Sequence, residues 1–124
     1  MIDHMSVKVK DVEGAKAFYE AALAPLGYEK GIEYPGGLQL RVEGEPGDVW
    51  VAPLPEGSEP VPAHVAFLAK DAEQVKAFYE AALAAGGTDN GAPGPRDYHP
   101  GYYAAFVYDL EGNNIEAVIH DWAE

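Results

Sequence analysis

At 124 residues, 48% of them apolar and with no run long enough for a membrane helix, the chain has the makeup of one globular domain. Twenty-one acidic residues against eight basic ones leave a formal charge of −13, which argues against nucleic acid and weakens the case for strongly anionic substrates. The absence of cysteine excludes disulfides and thiolate chemistry, and the opening MIDHMSVKVK has no charged-then-apolar leader, so the cytoplasm is the expected compartment.

Ile2–Lys10 alternates, with Met5, Val7 and Val9 on one side and His4, Ser6, Lys8 and Lys10 on the other, the period of a half-buried strand. Asp11 then stands before a helical pattern of Ala15, Phe18, Tyr19, Ala22, Leu23 and Leu26, which Pro25 and Gly27 end. Short strands are expected at Glu29–Tyr34, Leu38–Glu43 and Asp48–Ala52, divided by the turn signals PGG and EGEPG. Pro53–Pro62, with four prolines in ten residues, reads as a stiff linker.

Beyond the linker the chain repeats itself. His64–Leu83 restates His4–Leu23 at an offset of 64 − 4 = 60, and the match runs without a gap to Gly91 against Gly31. Thirteen of twenty-one positions in Asp71–Gly91 are identical to those in Asp11–Gly31. A unit present twice predicts a duplicated supersecondary structure with internal two-fold symmetry, not a solenoid. The second copy predicts a strand at His64–Ala69 and a helix at about Ala72–Ala85. After these come a faint strand at Thr88–Asn90 or Asp97–His99, a loop Asn90–Gly101, and strands Tyr102–Tyr108 and Asn114–His120. The class is α+β, with helices on one face of a curved sheet.

Three residues suggest one metal site. His4 and His64 hold equivalent places on the first strands, opposite the apolar positions. Glu116 alternates with Ile115, Ala117 and Ile119, so it shares the non-helix face with Val118 and His120. A carboxylate facing inward is costly unless paired or metal-bound, and two imidazoles with one carboxylate suit Fe, Mn, Ni or Zn. The loop Arg96–Tyr103, RDYHPGYY, is the candidate for substrate contact: Arg96, Tyr98 and Tyr102 as binding residues, His99 and Tyr103 as catalytic ones. His120, at the strand end, is expected beside the site or facing solvent.

The openings IDHMSVKVKD and AHVAFLAKD, the paired KAFYEAAL blocks and the closing DLEGNNIEAV resemble the vicinal oxygen chelate superfamily, the glyoxalase/bleomycin-resistance/extradiol-dioxygenase group. Leu110 stands where that group's D-P-x-G-N-x-x-E pattern has proline. The resemblance covers essentially the whole chain. It implies one domain of two βαβββ modules, about 1–52 and 63–124, forming an incomplete eight-stranded barrel around a central cavity. It implies a divalent ion on His4, His64 and Glu116, a small-molecule substrate bound through neighbouring oxygens, and a homodimer with no membrane partner. Glyoxalase I members carry a fourth ligand, a glutamate on the last strand of the first module; matching Val49–Ala52 to Ile115–Val118 puts Trp50 there instead, as an apolar wall for substrate. The expected function is therefore dioxygenase- or isomerase/lyase-type chemistry other than that of glyoxalase I. The alternative is a drug-binding protein of the bleomycin-resistance type without chemistry, to which the negative field would draw a cation.

Overall fold

The computed structural model describes residues 1–124 and contains two four-stranded sheets and two principal helices. In the first module β1 (His4–Val9) leads to α1 (Val12–Leu23), a 3₁₀ turn at Ala24–Leu26, then β2 (Glu29–Tyr34), β3 (Gly37–Arg41) and β4 (Asp48–Pro53). The second runs β5 (His64–Leu68), α2 (Ala72–Ala84), β6 (Thr88–Pro95), β7 (Tyr103–Tyr108) and β8 (Asn114–Ile119). The sheet orders are β1-β4-β3-β2 and β5-β8-β7-β6, so each module is the same βαβββ unit with its first and last strands parallel at the centre and edge. The two sheets do not join into a closed barrel.

Both helices start at an aspartate. The Asp11 carboxylate accepts from Gly14 N at 3.0 Å, and Asp71 accepts from Gln74 N at 2.8 Å, each satisfying one free helix N–H. Gly14 is there for Asp11: a Cβ would lie 2.4 Å from its Oδ2. The apolar stripe of α1, including Phe18, Tyr19, Ala22 and Leu23, and that of α2, Val75, Phe78 and Ala82, bury into a single core. Alternate residues of both sheets close on it: Val7, Leu38, Leu40, Val49 and Val51 from one, and Val65, Phe67, Ala105, Val107, Ile115 and Ala117 from the other. The helices touch each other and cover one face of each sheet, leaving each sheet's other face outside the core.

β6 is longer than the sequence suggests, and the loop correspondingly shorter. Residues 90–95, NGAPGP, lack the β-branched signature of a strand, yet pair with β7 through two register shifts, Asp89/Gly91 and Gly91/Gly94. An outer strand bonded on one side tolerates the glycines and prolines that a central strand would not.

The turn before β8 ties the modules together. Asp109 accepts from Glu111 N (2.9 Å), Asn113 N and Asn113 Nδ2 (both 2.8 Å), and from the buried Tyr19 hydroxyl of α1. Glu111 accepts in turn from Lys10 N and Asp11 N, at the start of α1. Asn113 Oδ1 accepts from Ala63 N at 2.8 Å, which sets the entry of β5 one residue before His64. The DLEGN segment thus places His64 and Glu116 side by side.

Candidate metal centre

On the open face of the second sheet, Glu116 sits on β8 between Ala66 of β5 and Phe106 of β7. Its side chain is 2% exposed, the most enclosed carboxylate of the chain. One oxygen, Oε1, lies 3.1 Å from His64 Nε2; the other, Oε2, accepts a short hydrogen bond from the Tyr102 hydroxyl. Burial, then the Glu116 carboxylate beside it, push the Tyr102 phenol up to about 12, so it remains a donor.

The histidine's tautomer follows from its other contact. His64 Nδ1 meets the carbonyl of Asn114 at 3.1 Å, and a carbonyl only accepts, so Nδ1 carries the hydrogen. In the neutral ring Nε2 is then a lone pair facing a carboxylate oxygen. Two acceptors this close require a cation, either a proton on Nε2 or a metal ion bound by both. His4 has the same tautomer: its Nδ1–H goes to Asp3 Oδ1 at 2.7 Å, which leaves the lone pair on Nε2. A nitrogen and oxygen set with its outer N–H groups already engaged fits the borderline divalent transition metals.

The chain does not bring all three candidate residues to one point. His64 and Glu116 meet, but His4 belongs to the open face of the first sheet, and no three His, Asp or Glu side chains of one chain converge. That face holds an open groove of about 250 Å³ lined by His4, Ser6, Lys8, Tyr34, Trp50 and Ala52. Trp50 pairs with Ser6 and Gln39, as Glu116 pairs with Ala66 and Phe106, so it holds in the first sheet the place that Glu116 holds in the second. Its ring leans on Tyr34 at 6.2 Å. Tyr34 is itself steadied by Lys16 Nζ on its carbonyl at 2.9 Å, and Gly37 leaves room for its ring.

The 96–103 loop borders the other half. Arg96 caps carbonyls of β6 at Ala92 and Gly94 and lies over the Phe106 ring at 5.3 Å. Tyr98 is exposed, with its ring edge-on to Tyr102. His99 Nε2 lies 2.9 Å from His120 Nδ1. Tyr103 points the opposite way, into the core against Trp122, and is not brought to the other site residues.

A family model described as Glyoxalase/Bleomycin resistance protein/Dioxygenase superfamily matches residues 1–117. The chain belongs to this superfamily. It is 32% identical to a glyoxalase/bleomycin resistance protein from Albidiferax ferrireducens T118, over 95% of this chain and 97% of that one, with a TM-score of 0.81. The fold is shared with a glyoxalase/bleomycin resistance protein/dioxygenase family enzyme from Burkholderia phytofirmans PsJN (22% identity, TM-score 0.73, 94% and 95% covered). It is shared also with a lactoylglutathione lyase from Agrobacterium tumefaciens (16% identity, TM-score 0.71, 95% and 92% covered). No curated protein matches the sequence significantly.

Within this glyoxalase/dioxygenase superfamily fold, two neighbours and one contact of an expected residue lie beyond what the sequence indicates. Tyr34 and Phe106 are site neighbours only through strand register, which the sequence does not print. The Tyr102 hydroxyl is directed at Glu116, a contact between a loop and a strand fourteen residues apart. The one available signal was parity on β8, which places His120 on the face of Glu116.

Proposed function

We propose that the chain is a metal-dependent enzyme that takes a small organic substrate through two neighbouring oxygens, on a divalent ion held by His4, His64 and Glu116. The observation behind this reading is the pair His64 Nε2 and Glu116 Oε1, two acceptors 3.1 Å apart with no hydrogen between them in the neutral state. When bound, the ion supplies a Lewis-acid charge for substrate oxygens that become more negative during reaction. Fe, Mn, Ni and Zn all suit the donors.

His4 is supplied, in this reading, by a second copy. Each chain keeps both open faces outside its core, one bearing His4 and Trp50, the other His64 and Glu116. A two-fold dimer that packs the first sheet of each chain against the second sheet of the other completes two identical sites. It also covers Tyr34, Leu68 and Tyr108, which are 49%, 72% and 38% exposed in the single chain.

The remaining roles fall to the groove. Trp50 and Tyr34 offer a flat apolar wall, and an indole in place of a carboxylate leaves more of the ion's positions for substrate or dioxygen. This favours dioxygenase- or isomerase/lyase-type chemistry over the glyoxalase I reaction. The His64–Glu116 pair favours this reading over a protein that only sequesters a drug. The test is elemental analysis of protein purified without added ions, which should find one divalent metal per chain, lost in His64→Ala and Glu116→Ala. A metal-free protein that takes up none of Mn, Fe, Ni or Zn at micromolar concentration sinks the reading.

A further inference from the structure

Building on that metal reading, we propose that the 96–103 loop is a clamp on Glu116. Tyr102 engages Oε2, so Oε1 is the oxygen that Glu116 presents first to a cation, which favours a small transition-metal dication over calcium.

Tyr102 is held more firmly than a half-exposed loop residue needs to be. Its ring is met edge-on by three others: Tyr98 at 4.9 Å, His120 at 5.2 Å and His99 at 5.3 Å, with interplanar angles of 79–84°. The two histidines form a unit. His99 Nδ1 must donate to the Pro100 carbonyl at 2.8 Å, so Nε2 of the neutral ring accepts from His120 Nδ1 at 2.9 Å. Their rings are inclined by only 21° with centroids 5.1 Å apart, an end-to-end arrangement that suits one straight N–H···N bond.

The backbone pins the same residues. Arg96 N donates to Tyr102 O at 2.9 Å, and Trp122 N to Gly101 O at 3.0 Å. Gly101 has φ +87°, and a Cβ there would lie 2.4 Å from the His120 carbonyl oxygen, so only glycine lets the loop sit this close to the end of β8. β8 is the strand that carries Glu116. Clamp and carboxylate are therefore referenced to one rigid element, four residues apart along it.

The chemical consequence lies in the second oxygen. Calcium takes six to eight oxygen donors and commonly uses both oxygens of a carboxylate, whereas the transition dications accept fewer donors and include imidazole readily. A carboxylate with Oε2 already bonded to a phenol, and an imidazole nitrogen beside Oε1, matches the second set.

The experiment uses the whole protein stripped with a chelator, then titrated with Co²⁺ by visible absorption and with Ca²⁺ by calorimetry. Wild type should bind Co²⁺ and give no calcium heat at millimolar concentration. Tyr102→Phe, which removes only the hydroxyl, should weaken Co²⁺ about tenfold or more, as loss of an outer hydrogen bond to a ligand does, and shift its absorption bands. It should also gain measurable Ca²⁺ binding. His120→Ala, on an exposed residue away from the ligands, should change Co²⁺ binding in the same direction by less, and it decides the matter if Tyr102→Phe folds poorly. Wild-type affinity and spectrum in both variants, or calcium bound by wild type as tightly as cobalt, overturns the clamp and leaves the metal centre standing. A wild type that takes no Co²⁺ at all overturns the metal centre itself.

Discussion

Glu116→Gln separates ligation from packing at the centre. The side chain is 2% exposed, and its two oxygens are committed to Tyr102 and His64. Glutamine has the same outline. Its amide oxygen accepts from Tyr102, and its amide N–H meets the Nε2 lone pair of His64, so no buried polar atom loses a partner. Metal-free stability should therefore change by no more than about 1 kcal/mol, or ~5 °C in Tm for a domain of this size. The metal response should differ sharply. An ion at 100 times its Kd adds ~2.7 kcal/mol to the folded state, roughly 13 °C. A neutral amide is a much poorer donor to a dication than a carboxylate, so that increment should vanish in the variant at the same metal concentration. Differential scanning calorimetry on both proteins, chelator-treated and then with Mn²⁺ or Ni²⁺, reads both quantities. An equal rise in both proteins would refute ligation by Glu116. A metal-free variant destabilised by more than ~3 kcal/mol would refute the isosteric argument, because the charge itself would then be holding the fold.

Three further outcomes are expected. Mixing His4→Ala with Glu116→Ala protein should restore metal to about a quarter of the sites, since half the random pairs are mixed and each mixed dimer rebuilds one centre; no recovery, or a light-scattering mass of 13.3 kDa, would refute a centre shared between two copies. Trp50→Glu should tighten metal binding and leave Tm nearly unchanged, because Trp50 lines the open groove and not the core; a large fall in Tm would show otherwise. Tyr19→Phe should lose about 1.5–3 kcal/mol in urea denaturation near neutral pH, the usual worth of a hydrogen bond to a charged group. Burial, reinforced by the charge of Asp109 and their hydrogen bond, holds the Tyr19 phenol well above the ordinary tyrosine range. The folded chain thus keeps a proton that the unfolded chain gives up above about pH 10, and wild-type stability falls as pH rises from there. The phenylalanine variant should fall less steeply over the same range, and parallel curves would contradict the assignment.

The duplicated βαβββ order was legible because it depends on local chemistry. Period two marks β1 and β5, the 3–4 spacing marks both helices, the aspartates mark their starts, and the repeat at offset 60 makes His4 and His64 equivalent. The same parity put Glu116 on the face away from the helices. β6 was hidden because its stability comes from pairing with β7 and not from its own glycines and prolines. Where Tyr102 and Tyr103 point could not be read either: adjacent residues where the loop enters β7, they are sent to opposite faces, one to Glu116 and one into the core. Sequence could say that two histidines are equivalent, since equivalence is a property of the chain alone. It could not say that they end on two separate open faces. That depends on how the helices of the two modules pack, and packing is decided by which apolar surfaces can be buried together in three dimensions.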